Sequence, residues 1–294
     1  MAVGPYGALL DAVRGVRWPA RRPVPGGAPG AHQARSRGVA PEFAEYRPYR
    51  QGDDPRRLDW KLLARSDRAF IRLAPDHAIL GTTFVVDASA SMAFPEATLA
   101  KWQLAKRLTI ALAAIAHASA DPVGVTIVAG DETVRLEPRT RSGVLAAIAR
   151  TLDAVTPHGA SDLTAAITSS AARCVVISDG LWAPDAAPSR SVIAALARHR
   201  ARGGESHLLH VVSRAELEPD DDAIMATDPE DARLERPLVP ETREGYRAAF
   251  DEWRAALASR ARADGLAYAE VVDDAPVEVL VRRLVAPVGA EARR

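Results

Sequence analysis

The chain has 294 residues, enough for one large domain or two small ones, and 48% of them are hydrophobic, which supplies a sizeable core. Basic and acidic residues number 38 each, so the net charge is zero and gives no global attraction to nucleic acid or an anionic membrane. The one cysteine, Cys174, excludes an intrachain disulfide and disfavours a cysteine-based zinc site. Because no apolar stretch approaches ~20 residues and no signal-peptide pattern opens the chain, we expect a soluble cytoplasmic protein.

The first 78 residues differ in character from the rest of the chain. Residues 1–34 begin with a helix predicted over 8–16 and continue as a Pro-, Gly- and Arg-rich arm. Residues 35–78 are expected to be rich in strands and loops, with one strand at 69–73. Ten basic and six acidic side chains lie within 35–72. They leave nucleic-acid binding open there, although the interleaved acids favour a network of ion pairs.

From residue 79 to about 290, predicted strands alternate with predicted helices. The strands are expected at 80–86, 123–129, 173–180, 207–212 and 267–272, with a hairpin partner for the second at 133–137. The helices are expected at 96–119, 142–152, 162–172, 191–202, 243–264 and 276–284. This alternation predicts an α/β fold of the Rossmann-like, doubly wound type with a mostly parallel sheet. The acidic segment 216–235, within a Pro- and Asp-rich stretch over 214–241, is expected to be a solvated loop.

Side chains with oxygen donors follow three of the predicted segments. Asp87, Ser89 and Ser91 come directly after the first buried strand, Asp179 ends the strand 173–180, and Ser161 lies in the loop before the helix predicted at 162–172. Ligands of open α/β sheets collect at the carboxyl ends of the strands. Two carboxylates and three hydroxyls suit Mg²⁺ or Mn²⁺ better than zinc. The alternative interpretation is that these Ser and Asp residues are helix caps.

Two uses of such a metal site remain open. In the first, a non-enzymatic binding module holds the ion and an Asp or Glu of a protein partner completes its coordination. In the second, Asp87 and Asp179 serve a Mg²⁺- or Mn²⁺-dependent hydrolase or phosphotransferase. The sequence contains no Walker loop, no Gly-x-Ser-x-Gly elbow and no His-Glu-x-x-His motif, so we expect no enzyme. His158 is interpreted as a residue at the rim of the site.

The motif Asp87-Ala88-Ser89-Ala90-Ser91 resembles the metal-ion-dependent adhesion site of von Willebrand factor A domains. In that resemblance, Asp179 matches the family's later Asp, and Ser161 stands where the family usually has Thr. The resemblance implies the five metal ligands Asp87, Ser89, Ser91, Ser161 and Asp179, and a Mg²⁺ or Mn²⁺ ion.

A longer signature, from Glu42 to Tyr49, from Gly52 to Trp60 and over Ala64-Arg65-Ser66, is similar to that of the bacterial DUF58 family. That resemblance implies an adaptor or co-chaperone that works with a MoxR-type AAA+ ATPase, without the two membrane helices of many relatives. Within the signature we expect Asp53 and Asp54 to accept hydrogen bonds from a turn or from arginines. We also expect Trp60 to anchor the segment on the sheet.

Overall fold

The computed structural model describes residues 4–20, 29–33, 45–50, 58–66, 68–73, 77–167, 172–182, 191–220, 225–230 and 233–286. They belong to two compact units: Pro19–Leu80 forms one, and Met1–Trp18 together with Gly81–Arg294 forms the other. The strands are β1 (Pro29–Gln33), β2 (Glu45–Pro48), β3 (Phe70–Leu73), β4 (His77–Ala78), β5 (Thr82–Asp87), β6 (Val123–Ala129), β7 (Glu132–Arg139), β8 (Arg173–Ser178), β9 (Glu205–Val212), β10 (Met225–Thr227), β11 (Glu235–Pro237) and β12 (Ala267–Val272). The helices are α1 (Gly7–Ala12), α2 (Trp60–Ser66), α3 (Ala100–Ala118), α4 (Val144–Asp153), α5 (Val192–Ala201), α6 (Arg214–Leu217), α7 (Pro240–Ala263) and α8 (Val277–Val285).

A six-stranded sheet forms the centre of the larger unit, in the order β12-β9-β8-β5-β6-β7. All neighbouring strands are parallel except β7, which pairs antiparallel with β6 as the predicted hairpin partner. Counted within this sheet alone, the order is 6-5-4-1-2-3, which is the order of a doubly wound Rossmann-type sheet. The predicted α/β class is therefore confirmed, and the strand order reverses between β5 and β8.

Helices cover both faces of this sheet because its inner strands are apolar on both sides. Strand β5 shows the alternation directly: Phe84 and Val86 join one core cluster and Val85 joins the other. Helices α1, α3, α4 and α8 contribute to the first cluster, and α5 and α7 to the second. Cys174 is buried in the second cluster, and burial raises the pKa of its thiol to about 12, so it is a core residue. None of the helices in the described part of the chain is long and apolar enough to cross a membrane.

Several predicted elements differ from the observed ones. The helix predicted at 162–172 is wrong over its first half, where a single 3₁₀ turn, Thr164–Ala166, is found; residues 168–171 lie outside the described ranges. The Asp162 carboxylate accepts hydrogen bonds from both the backbone N–H and the hydroxyl of Thr164, and this local bonding competes with a helix.

The described residues within 214–241 form regular elements where a solvated loop was expected over 216–235. They include α6 and an antiparallel hairpin of β10 and β11. Helix α7 begins at Pro240, three residues before its predicted start. Proline suits the first turn of a helix, where its missing N–H has no partner to lose.

The smaller unit contains two antiparallel strand pairs, β1 with β4 and β2 with β3, and helix α2. The prediction for Trp60 is wrong, because its side chain is 63% exposed and does not anchor the segment. The preceding residue, Asp59, is buried and caps α2: its Oδ1 accepts from the N–H groups of Lys61 and Leu62, each at 3.1 Å. Asp53 and Asp54 lie outside the described residues.

We expect Trp60→Ala to change the free energy of unfolding by no more than about 0.5 kcal/mol, since the indole is exposed. Asp59→Ala should lower it by about 1 kcal/mol, the usual value of an N-cap. Urea denaturation of both variants checks the assignment, and a larger loss for Trp60→Ala than for Asp59→Ala would contradict it.

Candidate metal centre

The loop after β5 brings one carboxylate and two hydroxyls together in a buried position. Asp87 is the last residue of β5, Ser89 is extended, and Ser91 lies in the 3₁₀ turn Ala90–Ala93. All three side chains are buried. The Ser89 N–H donates to Asp87 Oδ1 at 2.9 Å, and the hydroxyl oxygens of Ser89 and Ser91 are 3.1 Å apart. Two hydroxyl oxygens of the kind that bind metal ions therefore lie side by side, next to a carboxylate whose orientation is fixed.

Strand β8 lies beside β5, and Asp179, directly after β8, adds a second carboxylate. Ser178, the last residue of β8, connects this strand to Asp87 by a hydrogen bond. The Ser178 hydroxyl donates to Asp87 Oδ2 at 2.6 Å. The Ser178 Oγ itself accepts from the Gly180 N–H and from the indole N–H of Trp182, each at 3.1 Å. With both acceptor positions used, the one hydroxyl proton is directed at Asp87 and fixes its orientation.

We expect Ser178→Ala to lower the free energy of unfolding by about 2–3 kcal/mol, because it removes the partner of two buried polar groups, at Asp87 and Gly180, and of the partly buried Trp182 indole. Ser66→Ala is a suitable control, since the Ser66 hydroxyl is exposed and bonds only within helix α2. Urea denaturation measures both, and equal small losses would contradict the bridging function of Ser178.

The chain turns sharply directly after Asp179. Gly180 has φ +77°, a conformation that side-chain-bearing residues rarely adopt, and a Cβ there would lie 2.8 Å from Leu257 Cδ2. The turn allows the Leu181 N–H to donate to Asp179 Oδ1 at 3.2 Å. A glycine at position 180 thus sets the direction of the second carboxylate.

The third predicted segment contacts the first through its backbone. The Gly159 carbonyl accepts from the Ala90 N–H at 2.8 Å, and the His158 N–H donates to the Ala88 carbonyl at 2.9 Å. The Ser161 hydroxyl donates to the Val128 carbonyl at 3.1 Å, so its proton points to the end of β6. The His158 ring is exposed and its Nδ1 lies 2.9 Å from the Thr156 carbonyl oxygen.

Three charged residues that the sequence interpretation did not include also lie at this edge. Lys101 of α3 is 1% exposed, and its ammonium contacts Asp179 Oδ2 at 2.8 Å and Glu216 Oε1 at 2.7 Å. Glu216 also closes a capping box with Ser213 at the start of α6. The carboxylate of Glu230, in the turn between β10 and β11, lies 3.5 Å from the Ser91 hydroxyl.

The cluster carries an excess of negative charge. Among the described residues, the cluster contains one ammonium, that of Lys101, and the four carboxylates of Asp87, Asp179, Glu216 and Glu230, which give a charge of −3 when all are ionised. Burial, followed by the charge of Asp179, raises the pKa of Asp87 to about 6. Burial, followed by the charges of Asp179 and Asp87, raises the pKa of Glu230 to about 7.

The lysine at the centre of the cluster stays charged. Burial alone would lower the pKa of Lys101, but the charges of Asp179 and Glu216 raise it overall. Its single positive charge does not balance the four acids, so a further cation would be stabilised at this edge of the sheet.

The donor geometry fits a small hard cation. Two adjacent oxygen ligands of an octahedral Mg²⁺ lie about 2.9 Å apart, close to the separation of the Ser89 and Ser91 hydroxyls. Each hydrogen-bonded carboxylate oxygen of Asp87 and Asp179 keeps a lone pair for a further contact. The described residues contain no group of three or more His, Cys, Asp or Glu that could hold a metal ion, so hydroxyls and water would have to share the coordination.

The fold and this edge together define a doubly wound α/β protein with an oxygen-lined site at the point where the strand order reverses. A family model described as "Protein of unknown function DUF58" matches residues 45–260, and the chain belongs to this family. Two uncharacterized proteins, of Mycobacterium tuberculosis and Mycobacterium bovis, are each 31% identical to it over 132 residues, which is 45% of this chain and 42% of each relative. The match thus spans less than half the length of these relatives. A crystal structure of the SpRpn10 VWA domain aligns with 72% of this chain and 97% of its own, at 10% identity and a TM-score of 0.35.

Proposed function

We propose that the protein is a non-enzymatic interaction module that binds a carboxylate of a protein partner through a Mg²⁺ or Mn²⁺ ion. The observation that carries this proposal is the pair of buried hydroxyls of Ser89 and Ser91, 3.1 Å apart, beside Asp87 at the reversal of strand order. Asp179 adds the second carboxylate. Ser161, on the third loop, would join after its hydroxyl turns away from Val128.

The chain's own residues hold the donors in place before any ion binds. Ser178 fixes Asp87, and Lys101 with the Leu181 N–H fixes Asp179. A bound divalent cation supplies a local positive field, which favours a carboxylate as its remaining ligand. The module would therefore recognise an accessible Asp or Glu on its partner.

The partner we propose is a MoxR-type AAA+ ATPase, for which this protein acts as an adaptor or co-chaperone in assembling or activating other complexes. Support for this part comes from the family resemblance of the chain. The contribution of the site is specific: it supplies a metal-bridged contact with an acidic side chain of the ATPase.

The test is the affinity of the purified chain for a purified MoxR-type ATPase of the same organism, measured by biolayer interferometry in Mg²⁺. We expect Asp87→Ala and Ser89→Ala to weaken binding by on the order of tenfold or more. Asp131→Ala, an exposed acid in the turn between β6 and β7, is the matched control and should bind like the wild type. The variants decide the result, because removing Mg²⁺ with EDTA also affects the ATPase.

Unchanged affinity in Asp87→Ala and Ser89→Ala would overturn the metal-bridged contact. Hydrolysis of a phosphoester by the purified protein in Mg²⁺ or Mn²⁺, lost in Asp87→Ala, would instead support the alternative of a metal-dependent hydrolase or phosphotransferase.

A further inference from the structure

The β10–β11 hairpin places a carboxylate of this same chain at the candidate metal centre. The two strands pair from Met225 with Pro237 to Thr227 with Glu235. The turn between them is fixed at its start, where the Asp228 N–H donates to the Leu234 carbonyl at 2.9 Å and Asp228 Oδ1 accepts from the Glu230 N–H at 2.8 Å. The Glu230 side chain is thereby directed to Ser91, with its Oε1 3.5 Å from the serine hydroxyl.

This separation is compatible with a shared ion. Two ligands of one octahedral Mg²⁺ lie about 2.9 Å apart when adjacent and about 4.2 Å apart when opposite. The distance from Glu230 to Ser91 falls within that range, whereas Ser91 and Ser89 have the spacing of adjacent ligands.

The position of Glu230 is also unfavourable without a cation. Its carboxylate is repelled by those of Asp179 and Asp87. Among the described residues of the cluster, the ammonium is that of Lys101, and it is bound to Asp179 and Glu216. A hairpin that holds an acid against this repulsion gains stability when a divalent ion binds to Glu230 and the Ser91 hydroxyl and lowers the local negative charge.

We infer that Glu230 takes the coordination position that a partner's carboxylate would occupy, so that the β10–β11 hairpin closes the metal site from within the chain. This inference rests on the proposed function. A partner then binds by exchanging its own Asp or Glu for Glu230 and moving the hairpin away from Ser91. The module is closed when alone and opens only to a carboxylate that competes with Glu230.

The test uses Mn²⁺ as the probe and water-proton relaxation as the readout, on the full chain and on Glu230→Gln. Glu235→Gln, an exposed acid of the same hairpin, is the matched control for charge. We expect Glu230→Gln to weaken Mn²⁺ binding by on the order of tenfold and to add about one coordinated water to the bound ion. Millimolar acetate should displace water from Mn²⁺ bound to Glu230→Gln, but not from Mn²⁺ bound to the wild type or to Glu235→Gln.

The outcomes separate this inference from the proposed function. If the wild type binds Mn²⁺ but Glu230→Gln has the same water count and the same response to acetate, Glu230 is not a ligand and only this inference fails. If the wild type does not bind Mn²⁺, both fail. A circular dichroism melt of each variant shows whether it is folded. Because Glu230 is only partly buried, on a surface hairpin, we expect melting temperatures close to that of the wild type.

Discussion

Replacing Lys101 with methionine is expected to lower the free energy of unfolding by about 3–5 kcal/mol, the usual loss when one partner of a buried ion pair is removed. Methionine keeps the length and the apolar stem of the side chain but removes the ammonium. Asp179 and Glu216 would then face each other in a buried site without a counter-charge, since Lys101 is 1% exposed and contacts both of them. Urea denaturation at neutral pH measures the loss.

Two further variants make this result specific to the buried charge. Lys61→Met alters an exposed lysine of α2 and should change the free energy of unfolding by no more than about 0.5 kcal/mol. The double variant Lys101→Met with Glu216→Gln should recover part of the loss, because it removes one of the two uncompensated acids. A loss below about 1 kcal/mol for Lys101→Met would contradict the charge balance described for the cluster.

The second large effect is the loss, as the pH rises, of the stability that the protonated carboxyl groups of Asp87 and Glu230 contribute to the metal-free protein. The folded-state pKa of Asp87 is about 6, against an ordinary value of 3.8, and that of Glu230 is about 7, against 4.5. The folded state therefore binds these protons more tightly than the unfolded state. Their contribution to stability is complete below the ordinary values and is lost as the pH rises through about 6 and about 7.

For Asp87 the loss is of the order of 3 kcal/mol, and for Glu230 it is smaller, because solvent screens that partly exposed group. The measurement is urea denaturation in EDTA across the pH range from 4 to 8, repeated in Mg²⁺. Because the ion binds the ionised carboxylates, Mg²⁺ should remove most of this dependence. Burial lowers the pKa of His210 to about 4, which makes stability rise with pH over part of the same range, so the reference is Asp87→Asn in EDTA. An equal pH dependence of Asp87→Asn and the wild type would contradict the arrangement of the acids.

Part of the site could be predicted because it lies where strands end. The apolar runs before Asp87 and Asp179 indicate parallel strands, and the carboxyl ends of parallel strands meet at one edge of the sheet. The structure brings the two carboxylates together through Ser178, which is adjacent to Asp179 in the sequence. The fold class was predictable for the same reason, since buried parallel strands carry continuous apolar runs.

The other charged residues of the site could not be predicted, because their contacts join distant parts of the chain. Lys101 is 78 residues from Asp179 and 115 residues from Glu216, and Glu230 is 139 residues from Ser91. Lys101 lies in an apolar helical pattern that does not indicate which polar residue faces the sheet edge. Glu216 belongs to a recognisable sequence motif, the capping box with Ser213. That motif predicts the start of a helix, but it does not predict a contact with a lysine.

The errors of sequence interpretation have local physical causes. At Asp162, a side chain that bonds to Thr164 replaces the first turns of a predicted helix. Trp60 is the first residue of α2 and its large side chain is exposed. The preceding residue, Asp59, is buried and accepts a hydrogen bond from the Lys61 N–H. In both cases a short polar side chain bonded to nearby backbone decided the local structure, and the apolar pattern did not.

Isothermal titration of Mg²⁺ into the metal-free chain at neutral pH tests the central claim most directly. The account predicts saturable binding at a single site in the wild type and in Asp131→Ala, and no binding in Asp87→Ala. It also predicts that Mg²⁺ at about a hundred times its dissociation constant raises the free energy of unfolding of the wild type by about 2.7 kcal/mol. Absence of binding to the wild type, or equal binding by Asp87→Ala, would contradict the claim that this edge of the sheet is a metal centre.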